Sequence, residues 1–277
     1  PLVPVPSLSE QLGRRVLVKL ENLQRTGSFK VRGAAARLGA LSQEERGRGI
    51  VACSSGNHGR ATAWVARRLG VPATIYVPSW VDPVKLEGIR GEGARAVLCG
   101  DSFDEAEAQA GRHAEEEGRR FVSAYDDPWI IAGQGTLATE ILEQLPGERP
   151  GALLVPLSGG GLAGGMAAAL LEGRVDGVRS SPSPQLVAVS AERAAVMLES
   201  VRAGRPVQLP EEETLASALA GGIGEPNRWS FRLVRDLIPR HVTVTEDDIK
   251  DAIRFCYNEI GVVVEGGGAV PLAAVTA

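Results

Sequence analysis

Hydrophobic and polar positions alternate over 15–21 as in a short strand, and a loop over 22–27 leads from there into a helical pattern over 30–41. Ser28 stands where an N-cap is wanted for that helix. Residues 42–49 are polar and charged and read as a connection. From Ile50 the pattern changes to strand, helix, strand, helix. Apolar strand stretches at 50–53, 73–77, 94–98 and 121–122 are separated by helical patterns at 58–69, 83–90 and 102–117. A helical pattern over 128–145 follows, with Gly133 and Gly135 marking a tight approach early in it. A buried strand at 152–157, a helix at 162–171, a turn-rich linker at 177–184 and strands at 186–189 and 241–244 complete the alternation. Helices are expected near 191–202, 229–237 and 246–259, the last opened by Thr245 with Asp248 three residues on. Strands alternating with helices at this spacing imply βαβ crossovers and parallel sheets, an α/β fold. The expected division is a smaller domain, 47–124, inserted into a larger one formed by 1–46 and 125–277.

Composition narrows the function without naming it. Hydrophobic residues make up 44% and charged residues 23% of 277, ordinary for a globular protein with a full core. A net charge of -4 gives no support to nucleic-acid binding. No apolar run is long enough to span a bilayer and no signal peptide opens the chain, so no membrane association is expected. Cys53, Cys99 and Cys256 lack CxxC spacing and lie in apolar runs, which suits buried thiols in a reducing cytoplasm. The three histidines sit in unlike contexts, and no metal site is expected. The chain opens at Pro1 and stops inside a helical pattern, as a trimmed version of something longer would.

Three stretches carry candidate chemistry. In Thr26-Gly27-Ser28-Phe29-Lys30-Val31-Arg32-Gly33-Ala34 a lysine stands at a helix start among small residues. A lone lysine is ordinarily a surface residue. Small neighbours let other parts of the chain pack close, however, and a desolvated amine is what a nucleophilic lysine requires. Ser158-Gly159-Gly160-Gly161 follows a buried strand and precedes a helix, which presents backbone N–H groups to an anion such as phosphate. It matches neither the dinucleotide fingerprint nor the P-loop. Ser54-Ser55-Gly56-Asn57-His58-Gly59 also runs from strand to helix and could hold a carboxylate, with Asn57 acting as ligand or helix cap. A lysine, an asparagine-bearing loop and a glycine cradle together are the parts of a pyridoxal phosphate (PLP) site, with Lys30 the Schiff-base lysine.

TGSFKVRGA, SSGNHG, IAGQGT, PLSGGGLAGG and VVVEGGGAVPLAAV, in this order over almost the whole chain, resemble the fold-type-II PLP enzymes of the serine/threonine dehydratase and serine racemase group. The resemblance implies a tryptophan-synthase-β-like fold of two parallel-sheet α/β domains with the cofactor between them, and a homodimer. It implies that Lys30 holds the cofactor and later acts as the Cα base. Asn57 would bind the ring oxygen, Phe29 would flank the ring and Glu265 would lie near the cofactor edge. Gly159, Gly160, Gly161 and Leu162 would bind phosphate, and Ser54, Ser55, Gly56 and His58 would line the substrate carboxylate pocket. The implied reaction is β-elimination from a β-hydroxy amino acid such as L-threonine or L-serine, giving a 2-oxo acid and ammonia.

Departures from the group's pattern refine this. Ser55 occupies the place of the racemase serine that reprotonates Cα, so amino-acid racemisation is the alternative activity. A racemase-type divalent metal site uses a Glu where this chain has Ser190. The group's TIADG segment reads Thr214-Leu215-Ala216-Ser217-Ala218, and the flanking stretch, 190–224, is similar to a branch assigned to hydroxyectoine breakdown, whose substrate is a hydroxylated diamino acid. The group's C-terminal SGGN-type segment is not found in this chain.

Overall fold

The computed structural model describes residues 1–54, 56–172 and 184–277. It separates into two compact units, Pro1–Leu23 with Gly135–Ala277, and Gln24–Gln134.

The unit Gln24–Gln134 is built on a four-stranded parallel sheet. In spatial order its strands are Arg95–Leu98, Ala73–Val77, Ile50–Cys53 and Arg120–Phe121. Ile50 pairs with Ala73 and Cys53 with Tyr76, so the two central strands run in step. All four residues of Ile50–Cys53 are buried, as a strand covered on both faces requires. One face is covered by Asn57–Leu69 and Lys30–Gly39, whose residues Ala34, Leu38, Ala61, Val65 and Ala66 join Ile50 and Ile75 in one apolar cluster. The other face carries Phe103–Glu116, with Ala106, Ala110 and Ala114 against Val51, Cys53 and Tyr76.

Two close approaches in this unit explain its glycines. A Cβ on Gly33 would lie 2.4 Å from Gln134 Nε2, and one on Gly133 2.6 Å from the Arg32 carbonyl oxygen. The helix carrying Lys30 and the start of Pro128–Glu143 therefore touch backbone to backbone, as the small residues of the sequence imply. Beyond this contact Arg37 Nε lies 3.0 Å from Asp127 Oδ2, close enough for strong attraction though not aligned as a hydrogen bond. Arg37 is 5% exposed, so a substitution leaves a carboxylate with little water near it. Arg37→Leu is expected to cost roughly 3 kcal/mol, read as a lowered denaturation midpoint.

The helix Gln43–Arg48 is a finding that corrects the expected polar connection. It has no apolar stripe and stands on its ends. Ser42 and Glu45 form a reciprocal capping box, and Glu45 also receives Arg120. The Arg120 bond, ahead of the Ser42 backbone bond, lowers the Glu45 pKa to about 2. The helix expected from Ser28 also differs at its start. Phe29 is the N-cap, in a right-handed helical conformation, and no side chain caps the helix. The Ser28 hydroxyl is buried without a hydrogen-bond partner.

In the other unit, Ala152–Pro156, Gln185–Ala191 and Arg240–Val244 form a parallel sheet in that order. Leu2–Pro4 and Leu17–Lys19 pair antiparallel. The core gathers Val5, Leu8, Val189, Val244, Ile249, Ala252, Val270 and Ala273. The expected capping box at Thr245 and Asp248 opens Glu246–Phe255. The linker expected at 177–184 lies outside the described residues except for residue 184. Among the described residues no helix is long and apolar enough to cross a membrane. None of the three cysteines forms a disulfide among the described residues; Cys53 and Cys256 are buried and Cys99 is half-buried, a small departure from the expected three buried thiols.

Candidate active site

Phe29, Lys30, Ser54, Gly56, Asn57 and His58 fall in the Gln24–Gln134 unit. Ser55 lies outside the described residues. Gly159, Gly160, Gly161, Leu162 and Glu265 belong to the other unit.

Lys30 is the first residue of its helix and is half-buried. Gly27, at φ +78°, reverses the chain ahead of it, a conformation that glycine adopts at little cost. The amine Nζ donates to the Ala124 carbonyl oxygen at 2.8 Å and lies 5.4 Å from the centre of the Phe29 ring. The hydroxyls of Thr26 and Ser28, on either side of Gly27, are both buried and unpartnered. Buried polar atoms without partners carry a desolvation cost, and a ligand relieves it.

The strand Ile50–Cys53 leads through Ser54 into Asn57–Leu69, whose N-cap is Gly56. The N-cap is a glycine and offers no side chain to the first amides, which lie at the positive end of the dipole, where an anion is favoured. Asn57 is the first helical residue rather than the cap. Ser54 Oγ accepts from Gly56 N at 3.2 Å and shapes the turn. The site thus sits at the carboxyl end of a central parallel strand, where open α/β sheets place their ligands.

His58 is 3% exposed, and its Nε2 lies 3.0 Å from the Val122 carbonyl oxygen. Burial first, then the positive charge of Lys30, lowers its pKa from 6.5 to about 3. The ring is neutral at physiological pH. A histidine whose folded pKa is depressed resists a proton that the unfolded chain takes up near 6.5, so stability falls as pH drops from about 6.5 towards 3. His58→Phe is expected to flatten that limb of a denaturation-midpoint-against-pH profile. A limb as steep as in the parent would show that other groups produce it.

In the second unit the strand Ala152–Pro156 runs into the glycine turn and then into Gly161–Glu172. Gly160 has φ +82°, and a Cβ there would lie 2.8 Å from Met197 Cε and 3.0 Å from Val234 Cγ2. Only glycine fits. Gly160 O accepts from Gly164 N at 2.8 Å, which starts the helix and leaves the amides of its first turn without intrahelical acceptors. Ser158 Oγ donates to the Leu219 carbonyl oxygen at 2.9 Å and anchors the turn. Glu265 is exposed and is the N-cap of Gly266–Thr276. Ser190 is buried, with its hydroxyl 3.4 Å from the Leu157 carbonyl oxygen.

The Val122 and Ala124 carbonyls were not anticipated by motif. Nor was the pairing of Gly33 N with Gln134 Oε1 at 3.2 Å, although Gln134 stands within IAGQGT.

A lysine amine at a helix start, an uncapped helix beside it and an obligatory glycine turn suit a cofactor with an aldehyde and a phosphate. The whole chain, residues 1–277, matches the family model described as pyridoxal-phosphate dependent enzyme, and the chain belongs to that family. Its cofactor is pyridoxal phosphate and its fold is type II, as the motifs imply. It is 42% identical to a putative threonine dehydratase of Sinorhizobium fredii over 99% of this chain and 80% of the relative. It is 41% identical to an L-threonine ammonia-lyase of Thermotoga maritima over 97% of this chain, spanning 64% of that protein. The processed form of threonine deaminase isoform 2 from Solanum lycopersicum superposes with a TM-score of 0.90 at 35% identity, covering 99% of this chain and 72% of the other. Within the family the chain is thus a lyase of the threonine dehydratase kind.

Proposed function

We propose that the protein converts a β-hydroxy amino acid, foremost L-threonine, to a 2-oxo acid and ammonia. The observation that carries this reading is the Lys30 amine, held at 2.8 Å on the Ala124 carbonyl in the same unit as an uncapped helix start. The amides of Gly159, Gly160, Gly161 and Leu162 would hold the cofactor phosphate, Asn57 would bind its ring oxygen, and Phe29 and Glu265 would contact it. When bound, pyridoxal phosphate supplies an electron sink for the bond broken at Cα. Ser54, Ser55, Gly56 and His58 with the helix N-terminus orient the substrate carboxylate. The Lys30 amine takes the Cα proton, the Cβ–O bond breaks, and the hydroxyl leaves as water after gaining a proton. Hydrolysis of the dehydrated amino acid yields 2-oxobutyrate and ammonia from threonine.

The same reading takes residues 47–124, which include all four strands of their sheet, as the smaller domain inserted in the larger one. It also takes the protein to be a cytoplasmic homodimer, a location that cysteines not joined by disulfides favour. The test is 2-oxo acid release from L-threonine, L-serine and hydroxylated diamino acids by the cofactor-loaded protein. Threonine is expected to be the best of these. No 2-oxo acid from any of them would overturn the reading, and a clear preference for a diamino acid would reassign the substrate.

A further inference from the structure

Two backbone carbonyls, two residues apart, hold two nitrogen bases of the same unit. His58 Nε2 pairs with the Val122 oxygen at 3.0 Å, and Lys30 Nζ donates to the Ala124 oxygen at 2.8 Å. Two residues of chain span at most about 7 Å, so the imidazole and the amine are anchored to neighbouring points. Because a carbonyl oxygen only accepts, Nε2 must carry the ring hydrogen, and the lone pair of the neutral ring lies on Nδ1. Nδ1 is buried and has no hydrogen-bond partner. With a pKa of about 3 the ring does not store a proton at neutral pH. What it offers is an acceptor.

We propose that His58 is a positioning residue whose Nδ1 is the second acceptor for the Lys30 amine once an amino-acid substrate has displaced that amine from the cofactor. A neutral amine has two N–H bonds and one lone pair. With one N–H on the Ala124 oxygen and the other on His58 Nδ1, the lone pair has one direction left, from which it takes the Cα proton. No proton passes to His58. The hydroxyls of Thr26 and Ser28, buried in the same unit and without hydrogen-bond partners, supply the control substitutions. The inference rests on Lys30 being the Cα base in the proposed function.

The test is ¹⁵N NMR of the histidine-labelled holoenzyme, tractable with three histidines in the chain. L-2-Aminobutyrate, which displaces the lysine but carries no leaving group, is expected to move the His58 Nδ1 resonance upfield. The shift should be absent in Lys30→Ala and present in Ser28→Ala and Thr26→Ala. No shift in the parent, or a shift that survives in Lys30→Ala, overturns the proposal. Two substitutions give an independent ranking. Asparagine places an acceptor near the Nδ1 position and gives up Val122, whereas glutamine reaches Val122 and leaves nothing at Nδ1. His58→Gln should lose kcat roughly ten- to a hundred-fold with KM changed less, and His58→Asn should lose less. The reverse order shows a purely structural tie to Val122. Threonine turnover by the parent protein separates the two levels. Without turnover the proposed function falls as well, and with turnover but the reverse order only the role of His58 falls.

Discussion

Lys30→Ala is expected to lower kcat/KM for L-threonine by about 10⁴-fold or more, because in the proposed reaction the residue removed is both the covalent anchor and the Cα base. The fold should survive. Lys30 is the first residue of Lys30–Gly39, alanine is the best helix former, and the half-buried side chain's hydrogen bond to Ala124 O is a small loss beside the packing of the unit. Far-ultraviolet circular dichroism should therefore match the parent. Borohydride reduction should fix the cofactor to the parent on the peptide containing Lys30 and leave the variant unlabelled. Lys30→Arg keeps the charge and a donor near Ala124 O, yet it is expected to be as inactive as Lys30→Ala, since a guanidinium is neither nucleophile nor base at neutral pH. Retained turnover in either variant, or borohydride labelling elsewhere in the parent, would remove Lys30 from the site.

That lysine was legible in the sequence because small residues around a charged one are a local signal, and the structure uses them as close approaches at Gly33 and Gly133. The parallel sheets were legible for the same kind of reason, since strands buried on both faces read as apolar runs. The helix Gln43–Arg48 was not, because its stability comes from a capping box and Arg120, 75 residues away from Glu45, and not from an apolar stripe. Ser28 looked like a cap by residue type, but the turn at Gly27 buries its hydroxyl and leaves Phe29 to open the helix. The capping pair Thr245 and Asp248 succeeded where Ser28 failed because both partners are local and three residues apart. The deepest omission is chemical. The acceptors of Lys30 and His58 are backbone oxygens 94 and 64 positions along the chain, and a carbonyl has no residue signature to find.

Gly160→Ala is the second substitution with a large expected effect, and two separate costs act on it. At φ +82° an alanine is in the left-handed region, which costs about 1–2 kcal/mol. Its Cβ would also meet Met197 Cε at 2.8 Å and Val234 Cγ2 at 3.0 Å. The thioether end of Met197 can swing aside. Val234 is fully buried in Ser230–Leu237, so its methyl can yield only if that helix shifts, and overpacking of this kind adds roughly 1–3 kcal/mol. Gly204→Ala is the matched control, with φ +71° and no atom within 4 Å of the added Cβ. It should lose only the backbone part of the stability and bind cofactor normally. In Gly160→Ala the displaced turn aims its amides wrongly, so cofactor affinity measured by titration of the cofactor-free protein should fall well below that of Gly204→Ala. Equal affinities in the two variants would mean that this turn does not hold the phosphate, whatever the stability loss.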